Sequence, residues 1–244
     1  MKETLLTVLE NTRLADGIYR LRLAGDTSAI TAPGQFVNLK LSGFFLRRPI
    51  SVCDWSDGEL TLIYKVLGHG TEAMTGMAVG TALDVLTGLG NGFDLSRSGE
   101  HPLLVGGGVG IPPLYGLARR LTAQGKRVTA VLGFNRKSEI FLAEEFRALG
   151  AEVVIATADG SVGLKGLVTD GMAAVSDYTY LYTCGPEPML KAVYADCKTS
   201  GQLSFEKRMG CGFGACMGCS CETKYGNKRI CKDGPVLEKE EIVW

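Results

Sequence analysis

One stretch constrains this chain more than any other: Met209-Gly210-Cys211-Gly212-Phe213-Gly214-Ala215-Cys216-Met217-Gly218-Cys219-Ser220-Cys221, followed by Cys231. Cys211, Cys216 and Cys219 stand at C-x4-C-x2-C spacing ahead of a distant fourth thiol, the ligand spacing of plant-type [2Fe-2S] centres. Four thiolates must converge on two irons while backbone N–H groups turn toward the sulfurs. The intervening residues therefore have to tolerate tight, left-handed turns, which Gly210, Gly212, Gly214 and Gly218 allow.

Two other readings compete. A disulfide framework suits a small secreted chain, whereas this one has 244 residues with its cysteines bunched at one end. Structural zinc also favours C-x2-C pairs, but zinc ribbons usually present two such pairs and no run of alternating glycines. Iron–sulfur is the favoured reading and zinc the open alternative. Cys219 and Cys221 are two apart, so an extended segment points them to opposite faces. The ligand set read here is Cys211, Cys216, Cys219 and Cys231, with Cys221 in place of Cys219 as the alternative. Cys53, Cys197 and Cys221 then read as small buried apolar residues.

Apolar, aromatic and sulfur residues make up 45% of the chain, enough for a full globular core. Lys plus Arg equals Asp plus Glu at 26 each, which leaves no electrostatic footprint for nucleic acid or an anionic membrane. The first ten residues carry acids and lack a continuous apolar core, unlike a signal peptide. There is no apolar run long enough to span a bilayer. The expectation is a soluble, cytoplasmic protein.

From residue 4 to about 97 the pattern is one of short strands. Ile18 to Leu23 and Phe36 to Leu41 alternate with period two, and further strands fit Ile50 to Asp54, Leu60 to Leu67 and Ala82 to Leu86. Six or so strands imply a small antiparallel barrel over 1–98. After residue 100 the rhythm becomes strand, glycine turn, helix. Leu103 to Val105 leads through Gly106 to Pro113 into a helix from Leu114 to Ala123. The unit repeats with Val128 to Phe134 and a helix over Glu139 to Leu149, then Val153 to Thr157 with a helical piece near Val168 to Val175. A last unit runs from Tyr180 to Thr183 through Cys184-Gly185-Pro186 into a helix ending near Lys198. That is a parallel α/β domain over 99–200. Residues 201–244 show neither period and form a cluster domain.

A glycine-rich turn at the end of a strand, opening a helix, puts backbone N–H groups where a pyrophosphate can sit. Gly106 to Pro113 meets that requirement, although Ile111 stands where a G-x-G-x-x-G fingerprint has its third glycine. A tight packing turn would explain the same glycines about equally well. In the barrel, Arg48-Pro49-Ile50-Ser51 offers a cation and a hydroxyl at the start of a strand, and Gly68-His69-Gly70-Thr71 offers a flexible loop. Each is weak alone, since lone arginines are usually solvated.

Taken in order, Arg48-x-x-Ser51, the Gly70-Thr71 pair, Gly106 to Pro113 and Cys184-Gly185-Pro186 resemble the ferredoxin–NADP reductase superfamily. With its cysteine-rich end, nearly the whole chain resembles the electron-transfer subunits of NAD-dependent dihydroorotate dehydrogenase B. The resemblance implies that Arg48, Pro49, Ile50 and Ser51 hold the FAD phosphate and the isoalloxazine edge. It further implies a second flavin strand at Ile63, Tyr64 and Lys65, and a phosphate contact at Gly70 and Thr71. Nicotinamide is expected near Gly107, Gly108, Gly110, Ile111 and Pro112 and near Cys184, Gly185 and Pro186. NADH would give a hydride to FAD and electrons would leave singly through the cluster. A separate FMN-bearing catalytic subunit, two copies of each chain together, would oxidise dihydroorotate in pyrimidine biosynthesis.

Asn135-Arg136-Lys137 follows the second strand of the α/β part, where a basic cluster admits a 2′-phosphate, so the residues leave NADPH open beside NADH. His69 and His101, the only histidines, are expected to take no catalytic role. Two further readings stand beside the main one: the small subunit of an NADH-linked sulfide or ferredoxin oxidoreductase, and a non-enzymatic iron–sulfur redox sensor.

Overall fold

A computed structural model describes residues 1–244. Strands β1 (Lys2–Ala15), β2 (Ile18–Ala24), β3 (Phe36–Leu39), β4 (Arg48–Ser56) and β5 (Glu59–Lys65) are followed by helix α1 (His69–Thr75) and strand β6 (Ala82–Leu89). The six strands close an antiparallel barrel in the order β1-β2-β5-β4-β3-β6. Alternation drives the closure: Leu6, Leu21, Leu23, Leu39, Leu60 and Leu62 point inward and are wholly buried, while their neighbours face out. The first strand runs for 14 residues although only Leu6 and Val8 are buried in it, which is why the sequence reading names no strand before Ile18. The loop expected at Gly68 to Thr71 is instead the start of α1. Extended Gly68 caps it, and the Thr71 hydroxyl accepts from the backbone N–H groups of Leu67 and Gly68 at 2.9 and 3.2 Å.

The second half begins with β7 (Pro102–Gly107), α2 (Ile111–Ala123), β8 (Thr129–Phe134), α3 (Ala143–Ala148) and β9 (Glu152–Thr157). It continues with β10 (Leu164–Lys165), α4 (Val168–Ala173), β11 (Tyr180–Cys184) and α5 (Glu187–Asp196). After these come β12 (Gly201–Ser204), the hairpin β13 (Ser220–Thr223) and β14 (Gly226–Arg229), and β15 (Val236–Glu238). Seven strands form one sheet in the order β10-β9-β8-β7-β11-β12-β15, parallel except for β15. Two expectations are corrected here. The helix over Glu139 to Leu149 is only α3, because Ile140 and Phe141 pack toward the core and Leu142 takes a left-handed φ of 62°. The stretch beyond residue 201 holds four strands, two of which belong to the α/β sheet: paired backbones rather than side-chain period put them there.

Shared cores join the parts. Helix α2 lies on β4, where a Cβ at Gly116 would come within 2.6 Å of the Cys53 carbonyl oxygen, so glycine sets the approach. Asp54 holds Arg119 and Arg120 at 2.9 and 3.3 Å, and the Arg120 guanidinium stacks 3.5 Å over the Trp55 ring. Ile18, Cys53 and Ile63 of the barrel share a core with Leu104, Ile111 and Leu114. Phe36 and Leu89 share another with Leu203, Phe205, Cys219 and Cys231. No helix is long and apolar enough to cross a membrane.

Candidate functional site

Where barrel, sheet and cysteine segment meet, a cavity of about 250 Å³ opens. That is below the roughly 300–1,000 Å³ of a pocket for a drug-sized ligand. Pro49, Ile50, Ser51, Ile63, Tyr64, Lys65 and Thr71 line it. Tyr64 contributes little polarity: its ring stacks on Tyr19 at 5.7 Å and its hydroxyl donates to Asn11 Oδ1, and burial pushes that hydroxyl's pKa up to about 12.

Arg48 and Gly70 lie beside this cavity rather than in its lining. The Arg48 guanidinium sits 4.7 Å over the Phe44 ring and donates to the Leu46 carbonyl at 2.5 Å. A Cβ at Gly70 would stand 2.1 Å from Arg48 Nε, so glycine is what lets the cation lie against α1. Its partner is a carbonyl, which leaves the charge available to an anion. The Thr71 hydroxyl is spent on the turn, donating back to the Gly68 carbonyl at 3.0 Å.

The glycine turn after β7 reaches the same cavity through Val109. Gly108 takes a φ of 52° with open space where a side chain would go, so its backbone is accessible. Ile111 and Pro112 are buried and pack the turn from beneath. Gly110 abuts the second turn, since a Cβ there would meet the Cys184 carbonyl oxygen at 2.2 Å and Gly185 Cα at 2.6 Å. Met189, four residues past Gly185, covers both Gly107 and Gly185. The Cys184 thiol is sealed: burial first, then the Glu206 carboxylate, pushes its pKa far up against a bond to Ser204. Ser204 and Glu206 themselves line the cavity. Glu206 reaches water at the mouth, yet the protein around it raises its carboxyl above the ordinary range.

The structure therefore gathers Pro49, Ile50, Ser51, Ile63, Tyr64, Lys65 and Thr71 around one cavity and sets the turns at Gly107–Gly110 and Cys184–Gly185 against each other at one edge. The sequence reading misses Phe36, Leu67, Ser204, Phe205, Glu206, Lys207, Met209 and Pro235 in the cavity wall. Nothing in their local pattern marks them: pairing of β12 with β11 brings Ser204 and the residues after it there, pairing of β15 with β12 brings Pro235, and Phe36 and Leu67 come from β3 and the end of β5. Met189 was findable from Cys184-Gly185-Pro186-Glu187-Pro188-Met189. At the end of β8, Arg136 is held by Asp16 at 3.5 Å and Glu139 at 3.2 Å, and Asn135 donates to Glu139 at 2.8 Å. This basic cluster is largely spoken for.

The cysteines stand as two pairs. Cys211 Sγ accepts from the N–H groups of Ala215 and Cys216 at 3.3 and 3.4 Å, and Cys219 Sγ accepts from Cys231 N–H at 3.4 Å. Burial pushes the Cys211 thiol up, but the N–H groups of Phe213 and Cys216, the Cys216 side chain and Ala215 N–H outweigh it and bring its pKa down to about 6. Burial and the Cys219 thiol push Cys231 up to about 12. Two thiol pairs with inward N–H groups fit a two-iron cluster, and Gly212 and Gly214 supply left-handed turns with φ of 75° and 95°. Cys221 is half-buried and lines a second cavity with Phe205, Leu237 and Trp244. Of the nearby cations, Lys228 pairs with Glu241, Arg229 with Asp233, and Lys224 bonds the Glu240 carbonyl. His69 opens α1, and His101 is buried between Thr129 and Arg127, at 2.9 and 2.8 Å.

A family model described as the iron-sulfur cluster binding domain of dihydroorotate dehydrogenase B matches residues 206–243, and one for an oxidoreductase NAD-binding domain matches 104–195. The chain is 44% identical to the dihydroorotate dehydrogenase B (NAD(+)) electron transfer subunit of Shouchella clausii, over 99% of this chain and 98% of that one. It is 46% identical to the subunit of the same name from a Geobacillus species, over 100% and 99%. Among solved structures, an NADH-dependent reduced ferredoxin-NADP oxidoreductase superposes with a TM-score of 0.89 at 29% identity, over 99% of this chain and 90% of that one. A ferredoxin NADP+ reductase from Neisseria gonorrhoeae with bound FAD and NADP, at 17% identity and a TM-score of 0.70 over 80% and 90%, shares the fold.

Proposed function

We propose the following reading on the premise that the chain belongs to the family of dihydroorotate dehydrogenase B (NAD(+)) electron transfer subunits, as its full-length identity shows. It is an oxidoreductase subunit that moves electrons between NAD(H) and a catalytic dihydroorotate dehydrogenase partner, through FAD and a [2Fe-2S] cluster, in pyrimidine biosynthesis. The observation that carries this is the single cavity bounded by the barrel strands, by Val109 of the glycine turn and by the segment from Ser204 to Met209 that runs into the cysteines. When bound, FAD takes two electrons from NADH as one hydride and passes them on singly.

The chain's own residues bind and orient. Arg48 supplies the charge for the FAD phosphate, Gly70 keeps Arg48 flat against α1, and Thr71 holds the turn in shape. Pro49, Ile50, Ser51, Ile63, Tyr64 and Lys65 wall the ring, with Phe36 and Pro235 excluding water from below. Backbone at Gly107, Gly108 and Gly110, set by Ile111 and Pro112 and by Cys184, Gly185 and Pro186, receives the nicotinamide nucleotide. Cys211, Cys216, Cys219 and Cys231 would hold the cluster, which would supply the one-electron outlet. In this division of labour residues 1–98 carry FAD, 99–200 NAD and 201–244 the cluster.

The partner bears FMN, and two copies of each subunit assemble in the cytoplasm. Lys224, Lys228 and Arg229 are engaged while Lys232 is exposed, so docking falls to Lys232 and to the apolar side chains of the same segment, Phe213, Met217 and Tyr225, which are 44%, 53% and 79% exposed. Reconstitution tests the reading. The isolated chain should reduce dyes with NADH but not turn over dihydroorotate, and adding the catalytic subunit should yield NADH from dihydroorotate and NAD. Coupling to sulfide or ferredoxin in its place, the relationship suggested by the 29% identical oxidoreductase, would overturn the pyrimidine role and leave the reductase chemistry. Absence of NADH oxidation would favour a sensor.

A further inference from the structure

The outer face of β3 carries a buried amide that the roles above leave unused. Asn38 is 1% exposed, yet its side chain makes one bond, a 3.3 Å donation from Nδ2 to the Cys211 carbonyl, and its Oδ1 is buried without a donor. An unpaired buried acceptor is a net cost to folding. Folding alone would favour an apolar side chain at this position.

Its neighbours show what the amide is placed between. Alternation sends Val37 and Leu39 into the barrel core, so Phe36 and Asn38 share the outer face. Across on β4, Ser51 stands opposite Phe36 and Pro49 opposite Asn38. Phe36, Ser51 and Pro49 line the flavin cavity, while Asn38 turns to the cysteine loop. The loop presses on it: Gly212 has a φ of 75°, and a Cβ there would stand 2.3 Å from Asn38 Nδ2. The far end of the loop is tied separately, by Asn91 N–H to the Gly234 carbonyl at 2.5 Å and Asn91 Nδ2 to the Asp233 carbonyl at 3.0 Å.

Resting on the electron-transfer reading above, we propose that Asn38 is a positioning residue: its amide fixes the Cys211–Cys216 end of the loop against the wall that faces the flavin, and so sets the gap each electron crosses. Each crossing oxidises the flavin by one electron and reduces the cluster by one. Asn38 makes and breaks no bond in it.

The test uses the purified holoprotein with its FAD and iron content measured. In Asn38→Ala, both cofactors should remain and the NADH-to-flavin phase in stopped flow should stay within about twofold. The following cluster-reduction phase should slow by about tenfold or more, the scale on which ångström displacements act on position-dependent steps. The electron paramagnetic resonance spectrum of the reduced cluster should shift as well. Gly212→Ala, which lifts the loop from the other side, should give the same shift, and the double variant should add little to either. Loss of the cluster in Asn38→Ala would overturn the positioning role, since the amide would then be retaining the cluster rather than setting its distance. Unchanged spectra and cluster phase in both variants, or loss of FAD together with iron, overturns it. A parent protein without FAD or iron would refute the electron-transfer reading itself.

Discussion

The barrel and the cysteine segment meet at one cavity but are held in opposite ways. The barrel closes on wholly buried leucines from four of its six strands, and every strand pairs on both sides. From Glu206 to Gly218 the chain has no regular element, and its order comes from glycine turns, a few N–H bonds to sulfur and the contacts of Asn38 and Arg229. Burial organises the first without help. The second lacks apolar mass of its own, so metal binding must supply much of its folding free energy. One consequence is that a flavin site can survive damage to the cluster site.

The largest effect that sharpens this contrast is at the thiols. Ser at Cys211, Cys216, Cys219 or Cys231 should abolish or strongly perturb the cluster's visible absorption and open residues 206–232 to proteolysis, while FAD stays bound. Cys221→Ser should leave the cluster intact. Loss of flavin in the ligand variants would break the comparison by showing that the barrel depends on the tail.

A smaller effect tests the barrel side alone. On the proposal that Arg48 holds the FAD phosphate, Arg48→Ala loses a charge-assisted contact worth about 1.5–3 kcal/mol, so FAD affinity measured by fluorescence should fall by roughly 10- to 100-fold with the cluster unchanged. Equal flavin retention would remove Arg48 from the site.

The smallest concerns acid stability. Thr12 first, then Arg20 and Arg22, hold the Glu10 carboxyl down to about 2 against its burial. A carboxylate with a lowered folded pKa contributes stability above its unfolded value of about 4.3 and loses it as pH falls toward 2. Thermal melts should therefore show Glu10→Gln less stable than the parent at neutral pH, with the difference shrinking below about pH 4. A constant difference would mean that Glu10 acts through packing.

The same contrast explains what could be read in advance. Period-two runs such as Ile18 to Leu23 and the strand–turn–helix units announce themselves because burial alternates along the chain. The thiol spacing is legible because ligand chemistry fixes it. Phe205, Glu206 and Met209 are not, since they reach the cavity through sheet pairing that no local pattern encodes. Asn38 was equally hidden: an outward polar residue on a strand reads as solvent-facing until another segment is found lying over it.

The return of β15 beside β12 has one more consequence. Ser204 and Val236 are paired neighbours, so everything from residue 205 to 235 leaves the sheet and comes back to adjacent strands, which lie roughly 4.8 Å apart. The cluster is thus a cassette inserted between two fixed posts, not a carrier on a swinging arm. A short hairpin bridging those posts would close the sheet at little entropic cost. What remained would lack its one-electron outlet and, with Phe205, Glu206, Lys207, Met209 and Pro235 gone, one wall of the cavity as well.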